Sequence, residues 1–273
     1  MLSGSTIARV ALLALVGSAL AGCAADSADP GENEVADEEP IVGGELDKTD
    51  PAVVAINVEL TGMAVCTGTL IAPDVVLTAG HCPMSHIWIR QGSSVRGLGW
   101  LSHTGVKDHA KHPRFSGEGK RYDVALLRLA NKLGKVRPLP LSEEPLSKAD
   151  IGAEIRHVGF GTTGDDWSYV KNIATAGLKR DVTYPITNVD RFFLWSGAPG
   201  KQTCVFDSGG PALRTVHGVE RIIGVVSAGR DCHSDGWDTR VDRRDILSWI
   251  DATLKAWGTE RPRAGKHSSH LGR

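Results

Sequence analysis

The chain has 273 residues, a length that suits one large domain or two small ones. Hydrophobic residues make up 41% and charged residues 23%, which excludes a disordered chain and a membrane-embedded helical bundle. The formal net charge of −1 argues against a protein that binds nucleic acid through bulk positive charge. The cysteines number five, and in an exported protein the odd one needs a separate purpose.

Residues 1–22 have the features of an export signal. Arg9 precedes the apolar run Val10–Ala21, which is too short to span a bilayer as a helix. The run continues into Leu20-Ala-Gly-Cys23, which resembles the lipobox of bacterial lipoproteins, in which the cysteine is acylated and becomes the new N-terminus. This resemblance predicts a signal peptide over 1–22, lipidation of Cys23 and a lipid anchor in the bacterial cell envelope. The alternative is an ordinary secretory signal and a secreted protein.

The segment that follows is strongly acidic. Residues 24–40 contain seven acidic residues, no basic residue and no hydrophobic periodicity. Such a composition cannot offset the entropy of ordering the chain, so we predict a flexible tether over 23–40. A tether can also be a propeptide, and the sequence leaves both roles open. Residues 41–273 carry 30 basic against 25 acidic residues, so the net charge of the whole chain conceals a mildly basic remainder.

From residue 41 onward the sequence predicts an all-β domain. Short β-branched runs alternate with Gly, Pro, Asp or Asn, a pattern typical of β-barrels and sandwiches. Such runs are Ala52–Val58, Val75–Leu77, Val124–Leu127 and Ile222–Val226.

A single convincing helix is predicted at the end of this domain, over 243–257. Its apolar residues recur at helical spacing and therefore predict a face packed on the core. They are Ile246, Trp249, Ile250, Leu254 and Trp257. Gly258 ends the helix, and 258–273 is predicted to be a flexible basic tail.

Three segments carry residue types suited to nucleophilic catalysis. In chain order they are Leu77-Thr-Ala-Gly-His-Cys82, Tyr122-Asp-Val-Ala-Leu-Leu-Arg-Leu129 and Cys204-Val-Phe-Asp-Ser-Gly-Gly-Pro211. A serine hydroxyl is a poor nucleophile until an imidazole accepts its proton, and a carboxylate can fix the tautomer of that imidazole. The candidates for these roles are Ser208, His81 and Asp123.

Together with Ile41-Val-Gly-Gly44, the three segments resemble the trypsin/chymotrypsin family of serine endopeptidases over Ile41 to about Trp257. The resemblance implies two packed, antiparallel, six-stranded β-barrels, the first over about 41–145 and the second over about 146–242. It also implies hydrolysis of peptide bonds through an acyl-enzyme, protein or peptide substrates, no cofactor and a monomer.

The resemblance implies further site residues. The backbone N–H groups of Phe206 and Ser208 would form the oxyanion hole. A freed α-amino group of Ile41 would pair with Asp207. Disulfides would join Cys66 to Cys82 and Cys204 to Cys232, although four cysteines by themselves allow three pairings. The substrate pocket would be formed by Gln202, Thr203, Ser227, Gly229 and Gly236.

The sequence departs from the family pattern at three positions. Phe206 stands where the family has glycine, and the residue before Ile41 is Pro40 instead of a basic residue. Gln202 occupies the pocket base in place of the aspartate of trypsin, so charge alone should not select Lys or Arg. Asp231 and Asp235 are near in sequence and leave a basic preference open.

Other functions stay open at this point. Phe206 and Pro40 favour, as the main alternative, a catalytically impaired homologue that uses its cleft to bind peptides or proteins. A third hypothesis is an esterase. The cluster His103, His109 and His112 lacks the cysteines or carboxylates of a typical metal site, so we expect a solvated loop and no metal.

Overall fold

A computed structural model describes residues 41–96, 103–164 and 175–263. The predicted signal peptide, Cys23, the acidic tether and residues 264–273 lie outside these ranges. Among the described residues, no helix combines the length and apolar character needed to cross a bilayer.

The described ranges are dominated by antiparallel β-structure. Their strands are β1 (Glu45–Leu46), β2 (Val53–Val58), β3 (Ala64–Ala72), β4 (Val75–Thr78), β5 (Ile87–Arg90), β6 (His103–Lys111), β7 (Ala125–Leu129), β8 (Glu154–Gly159), β9 (Arg180–Val189), β10 (Phe193–Ser196), β11 (Pro211–Val216), β12 (Val219–Gly229) and β13 (Gly236–Arg240). The helix α1 spans Arg244–Ala256, and two 3₁₀ turns span Glu118–Lys120 and Lys148–Asp150.

The strands form two closed barrels of six. Barrel one has the order β2-β3-β4-β7-β6-β5, and barrel two closes through the pairing of β8 with β9 in the order β9-β10-β13-β12-β11-β8. This arrangement matches the chymotrypsin-like fold and confirms the predicted fold class.

Barrel one was predicted to begin at about residue 41, but the first strand of the domain does not belong to it. β1 pairs with β9 of barrel two, with Leu46 opposite Arg180. The physical reason is the burial of Ile41, which is 1% exposed and packs with Val182 and Tyr184 of β9. The beginning of the domain therefore belongs to barrel two, and barrel one starts at β2.

The predicted apolar runs form the core. Strands β2 and β4 are buried over almost their full length because both faces of these short β-branched runs meet other elements. Ile246, Ile250 and Leu254 of α1 join the same buried cluster, which confirms the predicted helix face. The helix itself is one residue shorter at each end than the predicted 243–257.

The first part of the C-terminal tail is held in place, contrary to the prediction of flexibility from residue 258. Arg261 is 5% exposed, and its guanidinium lies 2.8 Å from Asp251 of the helix and 3.0 Å from Glu143. A buried guanidinium with two carboxylate partners fixes this segment against the domain. At least one basic residue of the predicted tail, Arg261, therefore stabilises the domain.

Candidate active site

Strand pairing brings His81 and Asp123 together although 42 residues separate them. His81 follows β4 and Asp123 precedes β7, and these two strands are neighbours in barrel one, with Thr78 opposite Ala125. The turns at the ends of the two strands therefore lie side by side.

Asp123 holds His81 by two hydrogen bonds, one to the imidazole and one to the backbone. Its Oδ2 is 2.7 Å from His81 Nδ1, and its Oδ1 accepts the backbone N–H of His81 at 2.8 Å. The Ser227 hydroxyl donates a third hydrogen bond to Oδ2 at 2.6 Å. Burial of Asp123 would raise its pKa, but the hydrogen bonds and the charge of His81, together with Ser227, outweigh burial and lower the pKa. The carboxyl is therefore held as an anion that can stabilise an imidazolium.

The segment around Ser208 is anchored to barrel one. The Ser208 carbonyl accepts a hydrogen bond from the N–H of Thr67 in β3 at 2.8 Å. Gly209 has φ +88°, and a Cβ there would overlap Thr78 Oγ1 and the Thr67 carbonyl oxygen. Only glycine fits this close approach of the two barrels, which explains why glycine follows the serine.

Phe206 adopts the left-handed backbone conformation that its position demands. Its φ is +76°, which costs a residue with a side chain about 1–2 kcal/mol. Its carbonyl accepts a hydrogen bond from Thr67 Oγ1 at 3.2 Å. Within the described ranges, the N–H groups of Phe206 and Ser208 have no hydrogen-bond acceptor. Two free N–H donors in one short turn can receive a developing oxyanion.

Two disulfides brace this region, as the resemblance implied. Cys66 is bonded to Cys82, the residue directly after His81, and Cys204 is bonded to Cys232. Among the described residues, the group that approaches metal-ligand geometry is Cys66, His81 and Cys82. Its two cysteines are consumed in a disulfide, so they offer no thiolate to a metal. Disulfides also fit an exported protein.

A cavity of about 430 Å³ contains the proposed reacting groups. His81 and Ser208 line it, and so does the Phe206 segment. The predicted pocket residues that line the same cavity are Thr203, Ser227, Gly229 and Gly236.

Gln202 is placed differently from the other predicted pocket residues. It is 1% exposed and lies behind the cavity wall instead of on it. Its amide is hydrogen-bonded to Tyr184 on one side and to two backbone carbonyls on the other. The base of the pocket is therefore formed by its neighbours.

Ile41 and Asp207 are both buried in barrel two. Asp207 accepts hydrogen bonds from the N–H groups of Cys204 and Gly161, each at 2.8 Å. Burial nevertheless dominates and raises the pKa of Asp207 to about 7. Ile41 has φ +47°, a conformation that β-branched residues rarely adopt. In the continuous chain the nitrogen of Ile41 is a peptide nitrogen, so it carries no charge to balance an ionised Asp207.

The three histidines of the predicted loop do not gather at one site. His103 stacks on Trp88, and His112 is buried between Tyr122 and Trp249. Burial is the main reason that the pKa of His112 is lowered. His112 is thus a packing residue instead of part of the solvated loop that the sequence suggested.

Sequence reasoning missed several polar residues of the site. The Ser227 side chain bonds Asp123, whereas the resemblance placed Ser227 only in the substrate pocket. His157, Tyr184 and Asp238 form a buried polar cluster next to Gln202. Each lies at a buried position of a strand. A polar residue at a strand position that normally carries an apolar side chain is the sequence feature that could have predicted this cluster.

Comparison with known proteins agrees with this geometry. Residues 41–250 match the family model described as Trypsin. Trypsin of Squalus acanthias is 30% identical over 233 residues, which cover 80% of this chain and 97% of that protein. Hypodermin-B of Hypoderma lineatum is 27% identical, covering 80% and 88%. Human transmembrane protease serine 5 is 30% identical, covering 70% and 46%. The chain therefore belongs to the trypsin family of serine proteases.

Proposed function

We propose that the protein is a serine endopeptidase that cleaves peptide bonds with Ser208, His81 and Asp123. The observation that carries the proposal is the hydrogen bond of 2.7 Å between the buried Asp123 and His81, which lines the same cavity as Ser208. Since Nδ1 of His81 bonds the carboxylate, Nε2 is left to accept a proton from the Ser208 hydroxyl.

The reaction proceeds in two halves. Ser208 Oγ bonds to the scissile carbonyl carbon while its proton moves to His81, and the N–H groups of Phe206 and Ser208 stabilise the oxyanion. His81 then protonates the leaving amine, which departs and leaves an acyl-enzyme. In the second half, water loses its proton to His81 and attacks the ester. The acid product leaves, and Ser208 recovers its proton.

Activation requires cleavage before Ile41. The freed α-amino group would pair with Asp207 and order the adjacent oxyanion segment. Two features support this proposal. Burial raises the pKa of Asp207 to about 7 even though the charges of His157 and Arg180 act to lower it, and the left-handed φ of Ile41 is a strain of about 1–3 kcal/mol that cleavage would relieve. Because Pro40 precedes Ile41, we infer that another protease makes this cut.

Export and anchoring complete the proposal. We infer that the chain is exported, that Cys23 is lipidated and that the catalytic domain acts as a monomer at a bacterial envelope. The sequence motif at Cys23 supports the anchor, and the pairing of the other four cysteines supports an oxidising compartment.

The experiment that tests this function is hydrolysis of a peptide library by protein that begins at Ile41. We expect cleavage at internal peptide bonds. We also expect the ratio of peptide turnover to turnover of the matched ester to be higher than the ratio expected of an esterase. Turnover of esters without any peptide cleavage would support the esterase hypothesis. Specific peptide binding without turnover of either would support the impaired homologue.

The alternative of an impaired homologue is motivated by Phe206, and one substitution tests it. Phe206→Gly removes the strain of a left-handed phenylalanine, so we expect kcat to rise by roughly 5- to 30-fold if the oxyanion hole is populated only part of the time. Val205→Gly is the matched control at a neighbouring position without positive φ. Equal or lower kcat in Phe206→Gly contradicts the idea that Phe206 limits the rate.

A further inference from the structure

A buried polar network lies behind the cavity that contains Ser208. Its four members are almost fully shielded from solvent, with exposures between 0% and 2%. They are His157, Tyr184, Gln202 and Asp238. Tyr184 stacks on His157 with ring centroids 4.8 Å apart, and His157 Nε2 lies 2.9 Å from Asp238 Oδ2. We call these four residues the pocket-floor network.

The hydrogen-bonding capacity of the Gln202 amide is used inside this network. Its Oε1 accepts from the Tyr184 hydroxyl at 2.9 Å and from the N–H of Thr203 at 2.8 Å. Its Nε2 donates to the carbonyls of Ser196 at 3.0 Å and Ser234 at 2.7 Å. A glutamine whose two donors and acceptor are all engaged has nothing left to offer a substrate side chain.

Two glycines make room for this position of the amide. A Cβ at Gly197 would lie 2.8 Å from Gln202 Nε2, and a Cβ at Gly236 would lie 3.3 Å from Oε1. Gly236 also lines the cavity, so its lack of a side chain both opens the pocket and admits the amide behind it. The local sequence is therefore suited to a glutamine turned away from the substrate.

The two aspartates that left a basic preference open both accept hydrogen bonds, and Asp231 also lines the cavity at an exposed position. Asp231 accepts the backbone N–H groups of His233 at 2.8 Å and Ser234 at 2.6 Å. Asp235 accepts the Thr187 hydroxyl at 2.7 Å and lies outside the residues that line the cavity with Ser208. These hydrogen bonds tie Asp231 to its own loop through Oδ1 and tie Asp235 to β9, so neither carboxylate is free to move to the base of the pocket.

The walls that remain are mainly apolar or lack side chains. They include Val226, Ala228, Gly229, Gly236 and the disulfide between Cys204 and Cys232. The Thr203 hydroxyl contributes polarity at the base, and it already donates to Gln202 Oε1 at 3.0 Å. Arg230 and Asp231 complete the lining, and both are exposed to solvent. A charged side chain that passes these two residues and reaches the base would lose its hydration without gaining a partner.

From this arrangement we propose that the pocket selects uncharged apolar or aromatic P1 side chains, and that Tyr184 is the positioning residue that keeps Gln202 out of the pocket. The proposal rests on the endopeptidase function proposed above and names its substrate class. His157 and Asp238 support Tyr184 in this role. His157 stacks on the Tyr184 ring and holds its orientation, and Asp238 holds His157 by a hydrogen bond.

The first test is a series of peptides that differ only at P1, cleaved by protein that begins at Ile41. We expect kcat/KM for P1 Phe, Leu or Met to exceed that for P1 Lys, Arg or Glu by roughly 100-fold or more, because burying an unpaired charge is costly. Preference for Lys or Arg overturns the inference and leaves the endopeptidase function standing. Failure to cleave any member, including a P1 Ala peptide, contradicts the function itself.

The second test isolates the positioning role. Tyr184→Phe keeps the ring on His157 and removes the hydroxyl that holds Gln202 Oε1. We expect the ratio of kcat/KM for P1 Phe to that for P1 Gln to fall by roughly 5- to 10-fold, mainly through KM, because the released amide can then bond a polar P1 group.

The P1 Ala peptide distinguishes positioning from general damage. Its kcat/KM should stay within about twofold in Tyr184→Phe, because its side chain does not reach the base of the pocket. Tyr122→Phe makes the same chemical change outside the network and should leave the P1 ratio unchanged. An unchanged P1 ratio in Tyr184→Phe, or an equal loss on every peptide, overturns the positioning role.

Discussion

Replacing Ser208 by alanine is expected to lower kcat/KM for a peptide substrate by roughly 10⁴- to 10⁶-fold. The residual rate would come from substrate binding and from the N–H donors at Phe206 and Ser208, which the substitution retains. His81→Ala should cause a loss of similar size, and the double variant should lose little more, because the two residues act as one unit. Steady-state hydrolysis of a single peptide measures all three variants.

A matched control excludes general effects of the substitution. Ser85 is exposed, and Ser85→Ala should retain the activity of the unmodified protein. Because trace contamination by another protease limits such measurements, residual activity of Ser208→Ala should be compared before and after treatment with a fluorophosphonate. A loss below about tenfold that survives this comparison would remove Ser208 from the mechanism.

Cleavage before Ile41 is expected to raise kcat/KM by roughly 100- to 5,000-fold, which corresponds to the 3–5 kcal/mol typical of a buried charge that lacks its partner. The comparison uses one preparation in which a site-specific protease sequence precedes Ile41, assayed before and after the cut. Asp207→Asn in the cut protein should return activity to the uncut level. Equal activity before and after the cut contradicts the proposed ion pair.

The raised pKa of Asp207 gives the uncut chain a characteristic pH dependence. Burial raises the folded-state pKa from 3.8 to about 7, so the folded chain holds this proton more tightly than the unfolded chain. The associated stability is complete below about pH 4 and is lost as the pH rises through about 7, with an upper limit of roughly 4 kcal/mol. The free energy of unfolding of uncut Asp207→Asn should lack this decline. In the cut protein the amine would neutralise the carboxylate and remove the decline as well.

The fold followed from the sequence because its main signals are local. β-branched runs bounded by turn residues gave the strands, and the spacing of Ile246, Ile250 and Leu254 gave the helix face. The partner of β1 could not be predicted in this way, since two residues carry little pattern and their pairing with β9 depends on the distant burial of Ile41. Arg261 illustrates the same limit, because its partners Asp251 and Glu143 are set by tertiary contacts.

The residues of the candidate site that belong to short sequence motifs could be predicted from the sequence. Residues that reach the site through tertiary packing could not. The segments at His81, Asp123 and Ser208 are contiguous and chemically distinctive. The Gln202 amide lies instead behind the cavity wall, where it accepts a hydrogen bond from Tyr184 of β9. A hydrogen bond between a strand and a distant loop leaves no periodic signal at either position, so only the folded structure relates them.

The most direct measurement is the intact mass of protein that begins at Ile41 after reaction with a fluorophosphonate, followed by peptide mapping. A reactive serine requires the base, the carboxylate and the oxyanion donors to act together, so the reagent tests the whole arrangement. We predict one adduct per chain, located on Ser208 and absent from His81→Ala. Lack of reaction, or an adduct on a different serine, would contradict the assignment of Ser208 as the nucleophile.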